Sequence, residues 1–223
     1  MKNADQVDSG LRKVLAVPRL YELCQNLVGA KSSGEWIAKR VLRLSGAEKV
    51  VDMGCGPGDI RKYLPADVDY WGFDISEDYI RRARRRFPTG ATFLSGTARD
   101  FLDNPDNPLN VADLVFCIGL LHHLNDDEAI EVLELSKRIM KPGGRSVYLE
   151  PVFLLHQTRL STWLMRRDRG RHVRSEQEWK DLMGRVFDSY STSIVTGLSR
   201  IPWVHIVMES VDSGDGMSGC VGR

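Results

Sequence analysis

Apolar and polar positions along this chain fall into blocks whose period changes from helical to extended and back. Over residues 11–44 the apolar positions keep helical spacing (Leu20, Leu23, Cys24 and Leu27, then Trp36, Ile37, Val41 and Leu42), which predicts one or two helices. Val50, Val51 and Met53 around Asp52 then predict a short buried strand at 49–53, entering a glycine-rich turn with a helix to follow. Further strands are predicted at about 69–73, 91–94, 112–117 and 145–149. The 112–117 run is nearly continuous apolar after Asp113, as in a strand covered on both faces. Between the strands, Ser76 is an N-cap for a helix through Arg86 that Pro88 stops, and Asn125 with Glu128 forms a capping box for a helix to about 140. Lys141-Pro142-Gly143-Gly144 should break the chain there. Ser175 and Glu178 form a second capping box, for a helix to about 185. Two β-leaning runs, about 188–196 and 203–209, are close enough to pair as an antiparallel hairpin.

Strands and helices alternating at these lengths predict an α/β fold, a doubly wound, mostly parallel sheet with an antiparallel end. The divisions read as 1–48, an N-terminal helical lid; 49–151, a ligand-binding core; 152–174, an insertion over the carboxyl ends of the strands; 175–210, the last helix and hairpin; and 211–223, a glycine- and serine-rich flexible tail.

Composition narrows the classes. The net charge of +1 gives no global field toward nucleic acid or membrane. Cys24, Cys55, Cys117 and Cys220 show neither C-x-x-C nor zinc spacing, so no metal is expected and the thiols read as reduced. The longest apolar run, Leu114 to Leu121, is far below the roughly 20 residues that span a bilayer. The first residues lack a signal peptide's apolar core, and a cytoplasmic protein is expected.

The chemistry is expected at the carboxyl edge of the strands, where open parallel sheets bind ligands. Gly54, Gly56 and Gly58 follow the first strand, Asp74 the second, Thr97 and Ala98 the third, and Cys117 and Ile118 end the fourth. Glycines there let the backbone approach a nucleotide-like ligand, and a carboxylate 20 positions past Gly54 can accept both hydroxyls of a ribose. A dinucleotide fingerprint would need its third glycine at position 59, where Asp59 stands, which argues against a nicotinamide cofactor.

The pieces Val-Val-Asp-Met-Gly-Cys-Gly-Pro-Gly (50–58), Gly-Phe-Asp (72–74), Ala-Asp-Leu-Val-Phe-Cys (112–117), Leu-Leu-His-His-Leu-Asn-Asp (120–126) and Met-Lys-Pro-Gly-Gly (140–144) resemble the class I S-adenosylmethionine-dependent methyltransferases. They come close to the small-molecule ubiquinone/menaquinone group. The resemblance implies a Rossmann-like seven-stranded sheet with an antiparallel last strand, and S-adenosyl-L-methionine as cofactor. It implies that Asp52, Gly54, Cys55, Gly56 and Gly58 cradle the methionine end and that Asp74 holds the ribose. Ile75 would pack on adenine, Thr97 and Ala98 would face its amino group, and Cys117 with Ile118 would offer backbone to the methionine amine. Relatives often carry an acid where Thr97 stands.

Methyl transfer to a hydroxyl or acidic carbon needs a base. His123 and His122, just past the fourth strand, are the candidates, with His123 the more characteristic in this resemblance and Tyr21 of the lid as a partner. His156 and His172 are rivals on the insertion. Phe116-Cys117-Ile118-Gly119 is not the pattern of nucleic-acid base methyltransferases. The expected acceptor is therefore a small molecule methylated at oxygen or carbon. Arg159, Arg166, Arg167, Arg169, Arg171 and Arg174 against Asp168 would suit an anionic or glycan-linked one. The run Arg81-Arg82-Ala83-Arg84-Arg85-Arg86 keeps an RNA or protein methyltransferase open as an alternative; an idle regulator that binds the donor or its product is a separate one. Oligomeric state is not legible.

Overall fold

The computed structural model describes residues 30–97, 100–101, 111–155, 157–165, 172–198 and 203–212. Tyr21, Ala98, His156, Arg166, Arg167, Arg169 and Arg171 lie outside them, as does the side chain of Arg159. The chain enters through helix α1 (Ala30–Trp36), which widens into a π-turn at Ile37–Leu42. Strand β1 (Lys49–Met53) is followed by β2 (Asp69–Asp74), α2 (Glu77–Arg86), β3 (Thr92–Ser95), β4 (Ala112–Ile118), α3 (Asp126–Ile139) and β5 (Met140–Phe153). A short helix α4 (Arg159–Met165), a two-residue strand β6 (Arg174–Ser175), α5 (Glu176–Gly184) and the hairpin β7 (Tyr190–Thr196) and β8 (Val204–Val211) complete the fold.

The main sheet runs β3-β2-β1-β4-β5-β8-β7, with β6 attached to β5 alone. Strands β1 to β5 are parallel, and β8 is antiparallel to both β5 and β7, as expected for the hairpin. The order reverses between β1 and β4, which puts the topological switch point at the glycine turn. Two apolar layers cover the sheet faces. One joins Val51, Met53 and Tyr148 to Leu133 of α3 and Trp179 of α5. The other joins Val50, Leu114 and Val147 to Leu42 and Ile80. Alternate residues of one strand feed opposite layers, which is why these strands read as continuous apolar runs rather than alternating ones.

The predicted caps are in place. Ser76 accepts from Tyr79 N–H at 3.3 Å, and Asn125/Glu128 and Ser175/Glu178 both close reciprocal capping boxes. Two expectations are corrected. The glycine turn leads not into a helix but into a single 3-10 turn, Ile60–Tyr63. Leu64, which precedes Pro65, is extended (ψ 156°), so the turn cannot propagate, and Arg61 holds the exit by donating to the carbonyls of Pro65, Ala66 and Gly90. Likewise Lys141-Pro142-Gly143-Gly144 does not separate helix from strand, because β5 already starts at Met140. The ladder shifts from Ala112↔Met140 to Leu114↔Arg145, so the four residues bulge out opposite Asp113. Asp113 holds the bulge by pairing with Lys141 and accepting from Lys49 N–H. No helix among the described residues is long and apolar enough to cross a membrane.

Candidate active site

Gly54, Gly56 and Gly58 take φ values of 74°, 53° and 73°, a region that side chains rarely adopt. The N–H groups of Gly54 and Cys55 both donate to Phe73 O, tying the turn to the end of β2. Gly56 faces open space, since an added Cβ would meet nothing within 4 Å. At Gly54 the reason for glycine differs: a Cβ would stand 3.0 Å from a Leu120 methyl. The loop after β4 therefore lies directly on the loop after β1, and the two form one cleft.

Asp74, predicted for a ribose, closes the β2 side. Its Oδ2 accepts from Gly56 N–H at 3.0 Å and its Oδ1 from Ser76 N–H at 2.8 Å. Burial pushes its carboxyl up, against those two bonds, which hold it down. Each oxygen keeps a lone pair for a further donor, so a vicinal diol fits. Ile75 beside it is 71% exposed, an apolar surface at the place predicted for a flat ring. Thr97 is placed differently from a free adenine contact. Its N–H and hydroxyl both donate to Asp100 at 2.7 Å, and they hold the Asp100 carboxyl below its usual range. Asp100, a side chain that the sequence reading missed, thus braces the turn after β3 through Thr97. A T-x-x-D spacing is its signal.

Asp52 lies beneath the turn, buried, and accepts from the Tyr70 hydroxyl at 2.5 Å. Burial is the main cause raising its carboxyl to about 7; Tyr70 opposes the rise and the Asp74 charge adds to it. The folded value lies above the unfolded one. The native state therefore keeps a proton that the unfolded chain releases, and this contribution, full below about pH 4, is lost as pH rises through about 7. Asp52→Asn should remove that slope, which is worth on the order of 4 kcal/mol across the window. Urea midpoints of both proteins between pH 4 and 8 test it, and parallel curves would show that Asp52 ionises freely. Cys55 and Cys117 are buried, and burial pushes both thiols well up, so neither is a nucleophile.

The other wall carries the two histidines on a 3-10 turn, Leu121–His123. Under it lies Glu150, fully buried at the end of β5 and absent from the sequence prediction. Its Oε1 accepts from the N–H groups of Leu120 (3.0 Å) and Leu121 (2.8 Å), and its Oε2 from His122 N–H (3.4 Å) and His122 Nδ1 (2.7 Å). One carboxylate thus folds the turn and fixes one face of the His122 ring. A donating Nδ1–H puts the basic lone pair of the neutral imidazole on Nε2. His122 is 6% exposed; His123 is half-buried and stacks on it with ring centroids 4.1 Å apart. From outside, Arg174 donates to the carbonyls of Leu121, Leu124 and His172 and pairs with Asp126 at 2.7 Å. That arginine is spent on structure. His172, a rival base, donates its backbone N–H to His122 O. In the second arginine run, Arg84 donates to Phe93 O, while Arg86 holds Pro57 O and Asp59, bracing the glycine turn.

A family description of a methyltransferase domain matches residues 50–144, the stretch that carries both walls of the cleft. Among curated proteins, the ubiquinone/menaquinone biosynthesis C-methyltransferase of Desulfotalea psychrophila is 30% identical over 151 residues, covering 63% of this chain and 58% of that protein. The chain spans less than two thirds of the length of the first curated relatives it matches. Two solved structures show the same fold. The pyocyanin biosynthetic protein PhzM aligns with a TM-score of 0.68 at 18% identity, over 91% of this chain and 62% of that one. An S-adenosylmethionine-dependent methyltransferase from Aquifex aeolicus aligns with a TM-score of 0.60 at 17% identity, over 88% and 95%.

Proposed function

We propose that this chain, whose residues 50–144 match a methyltransferase domain, is a class I S-adenosylmethionine-dependent methyltransferase that methylates a small molecule at an oxygen or an acidic carbon. The observation that carries the reading is the contact of Leu120 with Gly54, which sets a glycine–aspartate cradle against a buried carboxylate–histidine pair. The cradle fits the donor: Gly56 leaves room for a ligand, Asp74 can take the ribose hydroxyls, and Ile75 offers a face to adenine. Asp52, Gly58, Cys117 and Ile118 shape the floor on which the methionine end would rest. When bound, S-adenosylmethionine supplies an electrophilic methyl group on a sulfonium.

The chain's own residues supply alignment, dryness and a base. The histidine turn, fixed by Glu150, receives the proton that the acceptor loses as its oxygen or carbon attacks. His122 Nε2 is the accepting atom in this reading. His123 lines the approach. An in-line displacement asks mainly for orientation and exclusion of water, which two loops in contact provide. Residues 1–48 as a lid and 152–174 as an acceptor cap complete the proposal.

Binding of S-adenosylhomocysteine, measured by calorimetry, tests it. Asp74→Ala should weaken that affinity by about 1.5–3 kcal/mol, the worth of hydrogen bonds to a charged group. Unchanged affinity, in a variant whose melting temperature shows it folded, would remove Asp74 from the donor site.

A further inference from the structure

A cavity of about 1090 Å³ opens past the carboxyl end of β5. Its walls come entirely from residues 153–204, outside the matched stretch 50–144 and C-terminal to it. It lies close to the histidine turn. Strand β6 pairs with the last two residues of β5, and its two side chains diverge, as successive side chains in a strand do. Arg174 reaches the carbonyls of Leu121 and Leu124, while Ser175 lines the cavity. One short strand thus separates the proposed base from the chamber.

The lining sets the chemistry of an occupant. Phe153, Leu154, Leu155 and Trp203 supply apolar surface, and Leu155 is 99% exposed, far beyond what a leucine gains from water. The cation and the acid of the described lining, Lys180 and Glu176, neutralise each other at 2.6 Å. No unmatched charge faces the space among the described lining residues. Trp203 is half-buried just before β8 and presents aromatic surface to the space. The volume is at the upper end of sites that hold drug-sized ligands.

We infer that this chamber holds the body of the methyl acceptor, and that the acceptor is an uncharged, largely apolar molecule that packs on Phe153, Leu154 and Trp203. The inference rests on the proposed methyl transfer and replaces the anionic acceptor expected from the arginine-rich segment. The neutral naphthyl ketone Prodan, whose emission shifts to the blue in apolar surroundings, is the binding probe. It should bind saturably. Trp203→Ala, which removes aromatic lining, should weaken it about 3- to 10-fold. Thr196→Trp, which fills the mouth from an exposed strand position, should weaken it at least 10-fold. With S-adenosylmethionine present, 2-naphthol should be turned over in preference to its 6-sulfonate, with a raised KM in Thr196→Trp. Prodan binding that does not saturate or that ignores both variants, preference for the sulfonate, or turnover of neither naphthol would each overturn the inference. S-Adenosylhomocysteine titrated into the same preparations separates the failures: if it does not bind, the methyltransferase reading itself falls.

Discussion

Glu150→Ala should cost about 3–5 kcal/mol of folding stability, because it strands several buried donors at once. The size follows from what the carboxylate does. It is fully buried, and it satisfies the N–H groups of Leu120, Leu121 and His122 together with the His122 ring. Alanine would leave those donors in a dry site with no acceptor, and each unsatisfied group costs on the order of 1–3 kcal/mol. Glu150→Gln is the milder change. Its amide oxygen can serve one side of the carboxylate, but its NH₂ must face donors on the other. Urea unfolding of the three proteins should therefore rank wild type, glutamine and alanine in falling order. The glutamine variant, if folded, should also lose about 10²–10³-fold in turnover, because the His122 tautomer is no longer dictated. Equal stability of all three would mean that the turn holds itself and that Glu150 is incidental.

Legibility in the sequence followed how local each signal was. The capping boxes at Asn125/Glu128 and Ser175/Glu178 were readable because both partners lie three residues apart, and the structure closes both. The central strands were readable because burial on two faces leaves an unbroken apolar run, as at Leu114–Cys117. Asp74 was readable from its distance to the glycine turn. Glu150 was not. A glutamate before Pro151 looks like the polar end of a strand, and it is buried only because the β4–β5 register brings the returning loop down onto it. The bulge at 141–144 escaped for a related reason. Proline and paired glycines mark a departure from regular geometry, and the same residues serve a loop or an extrusion within a strand. Only the partner strand decides between them. The cavity walls were legible only in part: Phe153 to Ser161 fall in the segment read as an insertion over the strand ends, while Lys180 and Trp203 join them through the hairpin and share no period.

His122→Ala should lower turnover about 10²–10⁴-fold with affinity for S-adenosylhomocysteine retained, the range for loss of a positioned base. His123→Ala should cost less. The contrast follows from the geometry rather than from the resemblance, which favours His123. His122 has its Nδ1 held by a buried carboxylate, at 2.7 Å, and a base whose ring is fixed in one orientation spends no freedom finding its proton. His123 is half-buried and stacks on its neighbour, a position that suits contact with the acceptor. Its loss should therefore appear mainly in KM, and the loss of His122 mainly in kcat. Single-turnover rates with saturating donor separate the two, because they exclude product release. A larger drop for His123→Ala would move the base to that residue and leave the His122–Glu150 pair as the brace of the turn. Equal, small losses in both would mean that the acceptor reaches the methyl group already deprotonated, and that the chain accelerates transfer by alignment alone.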